Sequence, residues 1–141
     1  AERVTCPNCS SLLDVNQGNL KYFKALEPCP TSDQFLLKVG QEGTFPGDVK
    51  FRIIGRMVRS VTIDGTTYYW HEYLLYNPMV GFRWLVHSDN HWNFVEPVNP
   101  AEVEMPAAIG SGARAGYNGH SFKIFQDAPA SVRYVDGEFY W

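Results

Sequence analysis

The sequence predicts an all-β, or β-dominated, chain in which antiparallel hairpins form a sandwich or small barrel. Aromatic residues make up 15% of the 141 residues, and flat rings pack well on the pleated surface of a sheet. Short apolar runs are separated by turn signals such as Asp64-Gly65 and Ser88-Asp89-Asn90. The stretch from Val98 to Gly112 is the best place for a helix. Two prolines and two glycines interrupt it, so we expect a loop there instead.

The chain is predicted to divide into a short N-terminal unit and a larger β domain. Residues 1–33 hold a cysteine knuckle and a short hairpin, which together have the layout of a zinc ribbon. Residues 34–141 form the β domain, in which the loop 98–114 is predicted to join two weakly related halves. The relation rests on a repeat, because residues 45–53 resemble residues 117–124. Each copy enters a strand through a glycine turn, so shared turn chemistry also explains the resemblance.

The strands of the β domain are predicted from apolar and β-branched runs between turn residues. Gly55 is expected to mark a bulge or bend in the second of them. The predicted strands are Phe35 to Val39, Val49 to Arg59, Ser60 to Ile63, Thr66 to Tyr76, Phe82 to His87 and Trp92 to Val95.

Composition and charge narrow the classes of partner. Hydrophobic residues make up 45% of the chain, which is enough for a core, and the net charge is −3. The nearest approach to a basic patch is Lys50, Arg52, Arg56 and Arg59, which we interpret as the solvated face of a strand. Nucleic-acid binding is therefore not expected. No run reaches the roughly 20 apolar residues that span a bilayer. A protein is the predicted partner.

Three cysteines, Cys6, Cys9 and Cys29, are candidate ligands for a structural zinc ion. An odd number argues against a disulfide framework, and the Cys-Pro-Asn-Cys spacing is that of a metal knuckle. Both features favour a reducing compartment, so a cytoplasmic location is predicted. A second knuckle would need a cysteine where Ser32 stands. Either Asp33 or a distant histidine completes the zinc site, or the knuckle no longer holds metal.

Strand alternation places Glu72 on an apolar face. If Tyr76 pairs with Phe82 across the turn between them, Glu72 lies opposite Val86. A carboxylate on such a face must be paired, hydrogen-bonded or neutral. Glu72 is therefore either a general acid or base (or a ligand anchor) in a pocket, or a structural acceptor for an arginine or a loop backbone. The apolar face is predicted to comprise Trp70, Leu74, Trp84, Val86, Trp92 and Phe94.

The same registers bring three histidines to the opposite face. His71 would lie opposite His87, and His91 would pair with His87 across the next turn. Three imidazoles on neighbouring strands can bind zinc and leave a position open for catalysis. The arrangement depends on register, because a slip of one residue moves a side chain to the other face. The alternative interpretation is a set of polar residues on a solvated face.

Motifs spread over roughly residues 35–141 resemble an uncharacterised bacterial family, domain of unknown function 4178. In chain order they are Gly40 with Gly43-Thr44-Phe45-x-Gly47, Phe51-Arg52-Ile53-Ile54-Gly55-Arg56, Trp70-x-Glu72-Tyr73-Leu74-Leu75-Tyr76, Gly81-Phe82-x-Trp84-Leu85 with Trp92, Tyr117-x-Gly119 and Gly137-Glu138-Phe139-x-Trp141. The resemblance implies an accessory, stress- or membrane-associated module with no established catalytic residues. It also implies that Trp70, Glu72, Tyr73 and Trp84 are hallmark positions.

Together these features predict a non-catalytic binding or assembly module of a bacterial system. Binding is assigned to Trp70, Glu72, Tyr73 and Trp84. Tyr69, Tyr73 and Phe139 are expected to be exposed and to offer the aromatic contact area that interfaces favour. The alternative is an enzyme that works through Glu72 or through a metal bound by His71, His87 and His91.

Overall fold

The computed structural model describes residues 3–6, 11–16, 19–24 and 35–140. It is 61% strand and 3% helix, which confirms the all-β prediction. The described strands are β1 (Arg3–Thr5), β2 (Leu12–Asn16), β3 (Asn19–Lys24), β4 (Glu42–Phe45), β5 (Val49–Ile63), β6 (Thr66–Asn77), β7 (Gly81–Ser88), β8 (His91–Val95), β9 (Val103–Glu104), β10 (Arg114–Tyr117), β11 (His120–Lys123) and β12 (Ser131–Phe139). Among these residues no helix is long and apolar enough to cross a membrane.

The described chain forms two compact units. The larger one comprises residues 1–96 and 130–141, and the smaller one comprises residues 97–129. The larger unit holds one antiparallel sheet in the order β3-β2-β1-β12-β5-β6-β7-β8, with β4 paired to the first part of β5. Among the described strands β3 and β8 are the two ends of this path, so the sheet is open and, of the two predicted arrangements, the small barrel is not formed.

Short turns with left-handed residues set the registers of the hairpins. Asp64 and Gly65 have φ values of 48° and 80°, and Asp89 and Asn90 have φ values of 49° and 60°. Two consecutive positive φ values define the type I′ turn, whose twist matches that of the strands it joins. The pairing of β6 with β7 places Tyr76 opposite Phe82, as predicted.

A close approach of two glycines joins β12 to β5. Gly55 lies opposite Gly137, next to a bulge at Ile54 that was predicted near Gly55. A Cβ atom on Gly55 would overlap the carbonyl oxygen of Glu138 and lie 2.9 Å from Cζ of Phe139. The absence of a side chain at Gly55 therefore lets the Phe139 ring lie against the backbone of β5.

Each face of the sheet carries its own apolar cluster. Directly paired residues share a face, so the register assigns Met57, Glu72 and Val86 to one side, the Glu72 face. The opposite side, the His71 face, carries the next residues along each strand. The buried cluster on the Glu72 face consists of Leu12, Met57, Leu74, Val135 and Phe139. The buried cluster on the His71 face consists of Phe51, Ile53, Tyr73, Leu75 and Leu85.

The N-terminal strands are part of this same sheet. β2 and β3 pair as the hairpin that the sequence predicts, and β1 pairs with both β2 and β12. The predicted boundary between residues 33 and 34 lies outside the described residues. The strands before it continue the sheet of the β domain.

The predicted strand Phe35 to Val39 is wrong, because this segment forms no ladder. Phe35 and Leu37 instead pack onto the cluster of the His71 face. The chain then turns at Gly40, which has a φ of 88°, and enters β4. The alternation of apolar residues therefore arises because the segment Phe35 to Val39, here called the strap, packs over the sheet.

The smaller unit corrects the predicted loop 98–114. This segment contains a 3-10 turn at Pro100–Glu102, strand β9 and the start of β10. The described strands of the unit form a sheet in the order β11-β10-β9. The two copies of the sequence repeat are the hairpins β4–β5 and β10–β11, each with a glycine of positive φ in its turn (Gly47 and Gly119). Shared turn chemistry thus accounts for the repeat.

Candidate functional site

Glu72 lies on the apolar face, opposite Val86 as predicted, and its carboxylate is held by two donors. Trp70 Nε1 donates a hydrogen bond of 2.7 Å to Glu72 Oε1, and the Arg59 guanidinium donates to the same oxygen at 3.3 Å. The Glu72 side chain is 13% exposed and that of Arg59 is 33% exposed. The carboxylate is therefore a paired anion that accepts from an arginine, which is one of the two interpretations of the sequence.

The positions of these three residues follow from strand geometry. Trp70 and Glu72 are two residues apart in β6, so they share a face. Arg59 lies directly opposite Trp70 on β5, and its guanidinium carbon is 5.8 Å from the centre of the indole ring. A cation at this distance from a tryptophan face is attracted by the ring. The indole thus orients both the guanidinium and the carboxylate.

Two polar groups of this cluster have no partner in the described part of the chain. Glu72 Oε2 accepts no hydrogen bond there, because both recorded donors use Oε1. Arg59 Nε is buried and likewise has no hydrogen-bond partner among the described residues. A buried donor without a partner lowers the stability of the folded protein by about 1–3 kcal/mol. Such a donor is often bonded to a water molecule or a ligand.

Arg59 and Glu72 also line a cleft on the Glu72 face. The cleft has a volume of about 480 Å³, which is within the range of ligand sites, about 300–1,000 Å³. Its lining combines the Arg59–Glu72 pair with apolar side chains from four strands. The apolar lining consists of Met57, Trp84, Val86, Val95 and Val132. A concave apolar surface with a few convergent polar groups is the usual form of a binding site.

The structure brings some of the predicted binding residues together and separates one. Trp70, Glu72 and Trp84 all lie on the Glu72 face. Tyr73 lies on the opposite face with an exposed fraction of 0%, and Phe139 is likewise fully buried. Their expected role as exposed contact residues is wrong, because both rings fill the core. Tyr69 is 44% exposed and is available for contact.

The predicted three-histidine arrangement is formed only in part. His71 lies opposite His87, with ring centres 6.1 Å apart. His91 pairs with Ser88, so it lies on the other face of the sheet. The predicted pairing of His87 with His91 is wrong by one residue, because the turn is a two-residue Asp89-Asn90 turn and does not include Ser88. The same shift moves Trp92 and Phe94 from the Glu72 face to the His71 face.

The histidine pair is packed among aromatic rings. His71 is 7% exposed and stacks on Phe35 at 4.6 Å, and His87 stacks on Trp92 at 4.4 Å. Among the described residues no group of three histidine, cysteine or carboxylate side chains is positioned to hold a metal ion. Rings covered in this way favour a structural role for His71.

His71 makes the stability of the domain depend on pH. Burial lowers the pKa of the His71 imidazole below its usual 6.5, and the neighbouring His87 and Arg56 lower this pKa further. Tyr73 and Tyr134 also lie on this face, and Arg56 is paired with Asp136 at 2.9 Å. The unfolded chain therefore binds a proton at His71 more readily than the folded chain does. The stability that the uncharged His71 contributes is fully present above the pKa of His71 in the unfolded chain. It is lost as the pH falls through the lower pKa of His71 in the folded chain.

We expect the thermal midpoint of the wild type to decrease as the pH is lowered from about 7.5 to about 5, the range in which histidines titrate. The variant His71→Phe, which keeps a ring against Phe35, is expected to show a smaller decrease of the thermal midpoint over this range. The measurement is a series of thermal melts across that range. His120→Gln is the matched control, because His120 lies exposed on β11 of the smaller unit. Identical pH profiles for wild type and His71→Phe would contradict the assignment.

Only one of the three predicted zinc ligands lies in the described part of the chain. Cys6 follows β1 and its backbone N–H donates to the carbonyl oxygen of Ser11 at 2.9 Å. Cys9 and Cys29 lie outside the described residues. A zinc site at these cysteines stays a prediction.

Arg59 is the functional residue that the sequence interpretation missed. The sequence predicts one solvated basic face that includes Arg56 and Arg59, yet Arg56 lies opposite Tyr73 and Arg59 lies opposite Trp70. The two arginines are therefore on different faces of the sheet. The alternation of Arg59 with Met57 along β5 is the signal that places it on the apolar face.

Comparisons with known proteins identify a family and nothing beyond it. Neither the curated proteins nor the solved structures contain a match to this chain. The family model described as "Domain of unknown function (DUF4178)" matches residues 38–141, which include the cleft, both histidines of the pair and the smaller unit. The chain therefore belongs to the DUF4178 family.

Proposed function

We propose that this domain is a non-catalytic binding module that holds an apolar, uncharged segment of a protein partner in the cleft on the Glu72 face. The observation that carries the proposal is the Arg59–Glu72 pair in the lining of an otherwise apolar cleft. The proposed context is a bacterial, cytoplasmic system, stress- or membrane-associated, as the family resemblance implies.

The charge of the cleft favours a peptide backbone over a charged ligand. Arg59 and Glu72 neutralise each other, and the pair still has N–H groups to donate and one carboxylate oxygen, Oε2, to accept. A peptide group carries one acceptor and one donor, which is the complementary set. A ligand with a net charge would instead have to compete with one member of the pair.

The length of the cleft suits a short extended segment. It crosses five strands, from Val132 on β12 to Val95 on β8. Four strand spacings of about 4.8 Å give about 19 Å, which corresponds to about six residues of extended chain. The apolar lining would take side chains from one side of such a segment, and apolar burial supplies most of the affinity of such contacts.

The alternative of catalysis through Glu72 has less support. Two donors bind its carboxylate at the oxygen Oε1. Among the residues that line the cleft, Arg59 is the other ionisable group. A general acid or base must reach the reacting proton within hydrogen-bond distance, and the bonds from Trp70 and Arg59 already engage this carboxylate.

A display library of random heptapeptides, selected on the immobilised domain, tests the proposal. We expect enrichment of uncharged apolar peptides, whose binding is then measured by calorimetry. Val86→Lys introduces a charge into the cleft and is expected to weaken binding more than tenfold. Glu72→Gln keeps an acceptor for Trp70 but removes the charge that pairs with Arg59, and is expected to weaken binding about tenfold, or about 1.4 kcal/mol.

Met79→Lys is the matched control for charge, because Met79 is 91% exposed in the turn between β6 and β7 and does not line the cleft. Thermal melts establish that each variant is folded. Peptides that bind wild type and Val86→Lys equally would place the site elsewhere. A selection that enriches no peptide, from a library whose diversity is verified, would overturn the proposal.

A further inference from the structure

Strand β8 leaves one edge of the sheet open. It pairs with β7 on its inner side, and no other described strand pairs with its outer side. All five of its residues, His91 to Val95, are exposed. An edge of this kind presents unpaired backbone N–H and C=O groups, which form a template for another strand.

Within the described part of the chain, β8 itself carries none of the charges, prolines or bulges by which proteins prevent edge pairing. β8 contains no lysine, no proline and no ionised carboxylate, since its sequence is His-Trp-Asn-Phe-Val. Its pairing with β7 runs without a bulge, whereas β5 has shifts in register against both β6 and β12. Natural sheets usually protect an exposed edge with charges, prolines or bulges. Their absence leaves β8 able to pair with another strand.

The sequence of β8 is complementary to itself. In an antiparallel pair related by a two-fold axis beside Asn93, Trp92 lies opposite Phe94 of the second copy, and Phe94 lies opposite its Trp92. Both rings are on the His71 face and remain 43% and 38% exposed. Opposed aromatic pairs across strands stabilise a sheet.

The charges that flank β8 also allow this pairing. With Asn93 on the axis, Glu96 falls opposite Asn90 of the second copy, and Asp89 falls opposite Pro97. No two acidic residues are therefore directly opposed, and Glu96 is already bound by Arg83 at 3.2 Å. A like-charge pair at this position would have opposed association.

We propose that two copies of this chain associate through β8, as an antiparallel pair centred on Asn93 that continues one sheet into the other. The same strand contributes to both sides, as two-fold association requires. The inference is independent of the proposed function, because Asn93 does not line the cleft.

Light scattering coupled to size-exclusion chromatography, over a hundredfold range of protein concentration, tests the proposal. We expect the wild type to shift from monomer to dimer as concentration rises. Asn93→Lys places two ammonium groups opposite each other and is expected to weaken the dimer more than tenfold. Asn93→Glu is expected to do the same with two carboxylates. An equimolar mixture of the two variants is expected to restore the dimer, because lysine then faces glutamate.

Met79→Lys serves as the control, since it adds the same charge at an exposed position away from β8. A wild type that stays monomeric over the whole range would overturn the proposal. So would a dimer that Asn93→Lys leaves intact, or a mixture of the two variants that stays monomeric. Failure of peptide binding in the cleft would leave all three of these outcomes unaffected.

Discussion

Replacing Gly137 with alanine is expected to lower the free energy of unfolding by about 3 kcal/mol, because strain and overlap both add. Gly137 has a φ of 95°, a conformation that alanine adopts only with strain. Its Cβ atom would also overlap the carbonyl oxygen of Ile54 and lie 2.9 Å from Cα of Gly55. The two strands would have to separate where β12 joins β5. Chemical denaturation with urea measures the change.

Gly65→Ala separates the two causes. Gly65 has a similar φ of 80°, but a Cβ atom there would meet nothing within 4 Å. We expect this control to lose about 1–2 kcal/mol, which is the strain alone. Equal losses in the two variants would show that the close approach of β5 and β12 does not limit the residue at position 137.

Replacing Phe139 with alanine is expected to cost about 3–5 kcal/mol, the usual range for a buried aromatic residue. Phe139 is fully buried in the cluster of the Glu72 face and stacks on Trp84 with ring centres 6.3 Å apart. The bulge and the glycine pair hold the backbone around the ring, so the cavity has little freedom to collapse. Denaturation followed by tryptophan fluorescence measures the loss.

Two controls define that result. Phe139→Leu keeps most of the volume and is expected to cost about 1.5 kcal/mol or less. Phe125→Ala removes the same atoms from a ring that is 92% exposed, and is expected to change stability by less than about 0.5 kcal/mol. If Phe139→Ala were as stable as Phe125→Ala, the packing described for the core would be incorrect.

The local parts of the fold were predictable from the sequence. Asp64-Gly65 is a strong hairpin signal for β5 and β6, and the pairing of Tyr76 with Phe82 across the turn after β6 placed Glu72 opposite Val86 and His71 opposite His87. The next turn shows the limit of this reasoning. Ser88 is polar and stands beside Asp89, so composition alone could not exclude it from the turn. The left-handed conformation of Asp89 and Asn90 decides the register.

The long-range parts of the fold were not predictable in this way. β12 pairs with β1 and β5, which are far from it in the chain, and no turn signal links these segments. The strap at Phe35 and Leu37 has the alternation of a strand but forms no ladder, because its apolar side chains are used to cover the His71 face. The spacing of apolar residues predicts which side chains are buried. It does not predict whether the segment pairs as a strand, because tertiary packing determines that.

The candidate site was predicted at its centre but not at its boundary. Glu72 on an apolar face already required a partner. The sequence predicts that its partner, Arg59, belongs to a solvated patch of neighbouring arginines, but Arg56 and Arg59 lie on different faces of the sheet. The cleft itself joins Val132 of β12 to Val95 of β8. It therefore depends on the same long-range pairing that the sequence did not reveal.

The position of β12 has a consequence for synthesis of the protein. This strand lies in the middle of the sheet, between β1 and β5, yet it follows every other described strand of that sheet in the chain. While the ribosome is making the earlier strands, β1–β3 and β5–β8 have no strand to connect them. The nascent chain must then keep the inner edges of two partial sheets exposed, and such edges are prone to mispairing. Chaperone demand is therefore expected to end only when residues 131–139 have emerged.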